Sequence, residues 1–248
     1  MKNIFSKIKN FLKGKELEIL YVLFCVALVT ANVIGSKVFT LGFNLFGAPV
    51  ALTTGAIVYP FTFLFTDIIG EKYGKKKATA AVFYGFVAQI FALIFIIIAK
   101  FLPSVDPTGA AQLAYDTQLG QSFVFVIASL TAYLISQFSD VKVFHAIRNK
   151  YVAKHGSTKG GRWIWNNAST ITSQLLDSVL YAGIAFGLGF GWLWTQPIAL
   201  LNMILAQWII KAVIALLDTP IFYLFTKNST KAEIAAEEAE DVVEEAKA

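Results

Sequence analysis

The sequence is poor in charge, cysteine and histidine, and each scarcity removes a class of function. Charged residues make up 15% of its 248 positions, well below the roughly 25% of ordinary soluble domains. The single cysteine, Cys25, lies inside the first apolar block, which excludes an intramolecular disulfide. His145 and His155 share one loop with no cysteine near them, so no zinc-type spacing exists, and neither a metal nor a cofactor is expected. Also absent are G-x-x-x-x-G-K-[ST], H-E-x-x-H and G-x-S-x-G. The glycines of the 155–161 stretch, HGSTKGG, therefore read as a flexible loop instead of a phosphate cradle, and the chain is not expected to be an enzyme.

What is abundant is apolar. Residues of the AVILMFWYC set make up 56% of the chain, and they fall in blocks of about 20, the length a helix needs to cross a hydrocarbon core of about 30 Å. The blocks lie at roughly 19–36, 50–69, 78–101, 119–140, 166–189 and 197–225. They predict an all-α integral membrane protein with a bundle of six transmembrane helices. The last block is long enough to tilt, to break near Pro220 or to extend into the interface.

Lysine and arginine set the orientation, because cytoplasmic loops retain positive charge. Lys2, Lys7, Lys9, Lys13 and Lys15 precede the first block; Lys72, Lys75, Lys76 and Lys77 follow the second; and six basic residues lie in 141–165. Only Lys37 and Lys100 fall on the other side, which predicts both termini in the cytoplasm and location in the cytoplasmic (inner) membrane. The net charge of +5 is thus a topology signal spread over short loops, not a nucleic-acid stripe. Val141, Val143, Phe144, Ile147 and Tyr151 among Lys142, His145, Arg148 and Lys150 predict an amphipathic cytoplasmic helix on the membrane surface between helices 4 and 5, with both histidines interfacial or solvated. Three regions result: a retained basic amphipathic lead at 1–18, a six-helix domain at 19–226, and a tail at 227–248 whose acidic, apolar-poor composition predicts a marginal helix or disorder.

Polar groups inside the blocks need a reason, since Asp or Lys at mid-bilayer costs about 2.5–3.5 kcal/mol on insertion scales. Asn166, Thr170, Ser173, Gln174 and Asp177 fall at i, i+4, i+7, i+8 and i+11, one face of helix 5. Gln207 and Lys211 sit four apart in helix 6 with Asp218 two turns on, Asn32 and Ser36 lie in helix 1, and Gln137 and Asp140 lie in helix 4. Helix-to-helix hydrogen bonding explains many single Ser, Asn or Gln residues, and Asp177 with Lys211 is also readable as a structural ion pair. The number of amides gathered with charge favours a binding cavity. Amide and carboxylate groups can meet both edges of a flat heterocycle, and aromatic rings supply stacking faces, so the residues alone point to a polar, planar small solute. Asp67 and Asp140 sit near cytoplasmic helix ends, where an acid does not stabilise the dipole. With Glu71 and Asp218 they are either an interfacial ion cluster or a gate or coupling group. The pattern S-Q-x-x-D at 136–140 and 173–177, on helices of opposite direction, is open to two readings, a chance match of five residues or an inverted repeat.

The stretches Ala31-Asn32-Val33-Ile34-Gly35-Ser36-Lys37, Phe65 to Gly74 (FTDIIGEKYG), Ser136 to Phe144 and Asn166-Asn167 through Ser178 resemble the queuosine precursor transporters, also called the vitamin uptake transporter family. D-I-I-G-E-K-Y-G is the most specific of these, and the resemblance covers about 19–226. It implies import of 7-cyano-7-deazaguanine or a related deazapurine, a precursor of the tRNA base queuosine. Substrate contacts are then expected at Asn32, Gln137, Asn167, Gln174, Asp177 and Lys211, with Asn167 entering through the family motif. Membrane lipid and a deazapurine are the expected partners, and a homodimer stays open. The same features also suit the substrate-binding subunit of an energy-coupling-factor transporter, which would depend on a separate energy-coupling module.

Overall fold

The computed structural model describes residues 14–35, 37–45, 48–106, 108–119, 123–158, 160–189 and 191–226. Most of the basic lead, Ser36 and the acidic tail lie outside the described residues. Helix α1 spans Glu16–Ile34, followed by strands β1 (Val38–Leu45) and β2 (Ala48–Thr53), α2 (Gly55–Val58) and α3 (Pro60–Phe101). Then come α4 (Ala110–Gln118), α5 (Phe123–His155), α6 (Arg162–Ala182) continued by a π-helical stretch (Gly183–Leu188), α7 (Trp192–Thr195) and α8 (Pro197–Thr226). The described residues are overwhelmingly helical, as their long apolar blocks require.

Among the described residues, four helical stretches are long and apolar enough to cross a membrane: Glu16–Ile34, Gly55–Phe101, Arg162–Leu188 and Pro197–Thr226. Helix α5 is long enough, but Ser129, Thr131, Ser136, Gln137, Ser139 and Asp140 dilute its apolar content. Helix α3 is not one straight rod. Gly74 has φ 81° and ψ 175°, outside helical values, a conformation that favours glycine because it lacks Cβ. Three contacts show that the chain turns back there. Gly55 packs on Ala31, Lys72 reaches Glu16 at 2.6 Å, and Asn32 bonds to Gln89 at 3.1 Å. A straight helix would hold positions 55 and 89 about 50 Å apart, yet both sit beside the end of α1. The 60–73 half therefore runs antiparallel to α1, and the 75–101 half runs back alongside it.

The remaining long helices alternate in the same way. Tyr133 of α5 donates to the Val82 carbonyl, and Arg148 reaches Glu71 at the Lys-rich end. Helix α6 climbs from Trp165 beside Glu71 to Asp177 beside Tyr59, and α8 descends from Lys211 to Thr226. Between them lies an apolar core of Leu20, Phe24, Leu28, Leu64, Ile68, Ile69, Val82, Tyr133, Phe144, Trp165 and Phe222. Gly85 permits the closest approach in it: a Cβ there would collide with Phe24 and with the Tyr133 hydroxyl. Large apolar side chains such as Val87, Phe91 and Phe95 face outward, as lipid contact requires and water would not favour.

Three sequence expectations change. The 50–69 block does not begin as helix, because residues 48–53 form β2, antiparallel to β1 with Val38 opposite Thr53. Its start, A-P-V-A-L-T, carries β-branched residues and a proline, while α2 begins only after Thr54, whose hydroxyl donates to the Ile34 carbonyl. The expected separate surface helix at 141–151 is instead a continuation of α5 to His155. Its Val141, Phe144 and Arg148 are buried, because the stripe through Gln137, Asp140, Phe144 and Arg148 continues the inward face past the apolar block. His145 is likewise buried, against Gly70 and the Phe144 ring, whereas His155 is exposed and stacks on Tyr151. On the opposite side, the loop after α3 is closed by Asp106, which accepts from the backbone of Thr108 and Ala111. Those bonds hold its carboxyl below the usual range.

A ladder of buried polar groups as candidate functional site

Buried polar groups of α1, α3, α5, α6 and α8 meet in successive layers. At the top, Asn32 donates to Gln89 at 3.1 Å and accepts from Ser129 at 2.9 Å. The next layer centres on Asp177. Its Oδ2 lies 2.6 Å from Lys211 Nζ, and its Oδ1 accepts from the Tyr59 hydroxyl at 2.9 Å and from Ser136 at 3.3 Å. The ammonium also sits 5.1 Å from the Tyr59 ring centroid, within cation–π range. Beside this layer Gln137 donates to Thr62 at 3.1 Å and accepts from Thr66 at 3.4 Å.

One turn lower, Thr170 donates to Asp67 at 3.0 Å and Ser173 donates to Asp140 at 2.8 Å, and the two carboxyl groups lie side by side. Asn167 turns toward α8, where its amide and Thr219 exchange bonds of 2.9 and 3.1 Å. Asp218 is only partly buried, with its charge near Asp67. The bottom layer is a knot around Glu71, which has no exposed surface. Arg148 Nε and Trp165 Nε1 each lie 3.1 Å from its Oε2, Arg162 Nε lies 3.1 Å from its Oε1, and Arg162 also donates to the Thr226 carbonyl at 2.6 Å. The knot ties α3, α5, α6 and the end of α8 together on the Lys-rich side.

The expected site residues thus divide. Asp177 and Lys211 are joined directly, Gln137 borders them, and Asn32 and Asn167 belong to other layers. Gln174 is the exception in chemistry. It is fully buried, and among the described residues neither its amide nitrogen nor its amide oxygen has a hydrogen-bond partner. A buried unmet polar group costs about 1–3 kcal/mol, which a site awaiting a ligand would explain. Asn166 Oδ1 and Ser178 Oγ on the same helix are also buried without a partner. Tyr59, Arg148, Arg162 and Trp165 were not anticipated. A signal existed for Arg148, two turns beyond Asp140 on one stripe; nothing in the spacing marked Tyr59 or Trp165 among so many aromatics.

A family model described as "Putative vitamin uptake transporter" matches residues 53–225, more than half of the chain. The chain belongs to the queuosine precursor transporter, or vitamin uptake transporter, family. A "Probable queuosine precursor transporter" of Bacillus subtilis (strain 168) is 30% identical over 185 residues, covering 74% of this chain and 75% of that protein. No solved structure matches. Family membership and the apolar helices make this a multi-pass membrane transporter of a small molecule. The D-I-I-G-E-K-Y-G stretch, which lies within the matched residues, coincides with the Asp67 layer, the Glu71 knot and the Gly74 reversal.

Proposed function

We propose that the protein imports a queuosine precursor, 7-cyano-7-deazaguanine or a related deazapurine, across the cytoplasmic membrane. The observation that carries the substrate chemistry is Gln174, whose free donor and acceptor lie one turn from Asp177. An amide offering both groups complements a lactam edge, where N–H and C=O are adjacent. Asp177 accepts from an amino or ring N–H, Lys211 donates to a carbonyl or nitrile, and Tyr59 supplies a ring face. Gln137 lines the same layer, while Asn32 and Asn167 meet substrate as it enters and leaves.

In this reading the chain crosses the membrane six times with both termini inside. The reversal at Gly74 supports that count, since it makes two passes of α3, and the lysines beside the turn support the orientation. Glu71 and its arginines close the cytoplasmic end, with Asp67, Asp140 and Asp218 just above, and transport requires that knot to open. Cells lacking their own importer, supplied with this chain, are expected to take up labelled 7-cyano-7-deazaguanine. Absence of uptake with the protein confirmed in the membrane would refute the assignment.

A further inference from the structure

The charged layers of the bundle differ in one respect. Asp177 has Lys211, and Glu71 has Arg148 and Arg162. Asp67 and Asp140 lie in contact, and among the described residues no cation reaches either of them. Both are buried, with exposures of 3% and 0%. Asp140 Oδ2 is buried without a hydrogen-bond partner among the described residues, while the Asp67 carboxyl lies alongside. Two unneutralised carboxylates cannot share a buried site, because desolvation and mutual repulsion both oppose charge there.

The surrounding groups do not supply the missing charge. From α3 comes Asp67 itself, with Glu71 one turn on and already engaged by both arginines. From α5 come Asp140 and, two turns on, Arg148, which is spent on Glu71; His145 packs against Gly70. From α8 comes Asp218, a further carboxyl group and not a cation, while Lys211 is held by Asp177. Helix α6 offers the hydroxyls of Ser169, Thr170 and Ser173 and the Asn166 amide; its ionisable groups, Asp177 one turn above Ser173 and Arg162 two turns below Thr170, are held by Lys211 and Glu71.

We propose that Asp67 and Asp140 form a binding site for a monovalent cation, H⁺ or Na⁺, which neutralises the pair. Four side-chain oxygen groups from three helices, those of Asp67, Asp140, Thr170 and Ser173, meet at the site. Each carboxylate already accepts a hydroxyl hydrogen bond, Asp67 from Thr170 and Asp140 from Ser173, so one added positive charge leaves a single hydrogen-bonded carboxylate in place of two facing ones. Because α3, α5 and α6 contribute to both this layer and the Asp177 layer, occupancy of one acts on the packing of the other. The cation is thereby placed to couple to the solute. This coupling rests on the transport reading; the cation site itself does not.

The full chain, purified in detergent, is melted in NaCl or choline chloride at equal ionic strength, and in choline buffers from mildly acidic to mildly alkaline. If the site holds Na⁺, Tm rises with NaCl over choline. If it holds H⁺, Tm falls as the pH rises, whichever salt is present. In either case Asp67→Asn and Asp140→Asn, which carry a neutral isostere, lose that response and melt above wild type in alkaline choline. Either variant suffices if the other does not fold. A wild-type Tm indifferent to both ions, or variants that keep the full response, would overturn the proposal. No heterocycle is present, so that failure leaves the transport reading standing. In liposomes, the ion that stabilises is expected to drive accumulation of labelled 7-cyano-7-deazaguanine when applied as an inward gradient; accumulation unaffected by that gradient would overturn the coupling.

Discussion

Replacing Lys211 by methionine would leave the Asp177 carboxylate buried with only the Tyr59 and Ser136 hydroxyls beside it. Breaking one side of a buried ion pair costs about 3–5 kcal/mol. For a chain of this size, 1 kcal/mol corresponds to about 2–4 °C in Tm, so Lys211→Met should melt about 6–20 °C lower. Asp177→Asn should be destabilising as well, because the ammonium then loses its acceptor. The double variant removes both charges and replaces them by an amide and an apolar side chain of similar length. It is expected to recover most of the loss, with a coupling energy of at least about 2 kcal/mol, within the range known for contacting pairs. The assay is thermal unfolding of the four proteins in one detergent, followed by uptake of labelled 7-cyano-7-deazaguanine. Additive losses, with no recovery in the double variant, would refute the pairing. A stable double variant that transports normally would refute a substrate role for both residues and leave a structural pair.

Other substitutions separate packing from function. Gln174→Leu removes a buried amide with no partners and should leave Tm unchanged or raised by up to about 2 kcal/mol equivalent, while abolishing saturable uptake; lost stability would show that the amide has a structural partner. Glu71→Ala leaves Arg148 and Arg162 facing each other in a buried site and should cost about 3–5 kcal/mol in thermal unfolding, with Glu71→Gln intermediate. Gly85→Leu should cost about 1–3 kcal/mol by overpacking against Phe24 and Tyr133, read in the same assay. Cysteines placed at Lys76 and Asp106 in a Cys25→Ala background should react with a membrane-impermeant maleimide from opposite sides, Asp106→Cys from outside intact cells; the reverse pattern would invert the topology.

The helical character and long apolar stretches were legible because apolar length is a local property of the chain. So was the α6 face, since its polar residues repeat with helical period. The β1–β2 hairpin was not, because 48–53 and the helix after it form one apolar run, and length alone does not separate strand from helix in such a run. Arg148 and His145 were misplaced for a related reason: mixed apolar and basic residues beside a membrane suggest a surface helix, but here Glu71 and Trp165 from distant parts of the chain bury that face. Asp177 and Lys211 were expected as substrate contacts, with a structural ion pair as the competing reading, and they are paired. Asn32, expected in the same set of contacts, bonds to Gln89 and Ser129 in another layer. Spacing along one helix identifies a face; it does not tell which depth of a neighbouring helix that face meets.

Counterflow by the purified full-length chain, alone in liposomes preloaded with unlabelled 7-cyano-7-deazaguanine, tests import most directly. Transient, saturable entry of labelled compound is expected, suppressed by excess guanine-like competitor and absent with Gln174→Leu. Entry no faster than into protein-free liposomes would contradict transport by this chain alone. If the same preparation bound the compound, that result would favour the binding subunit of an energy-coupling assembly.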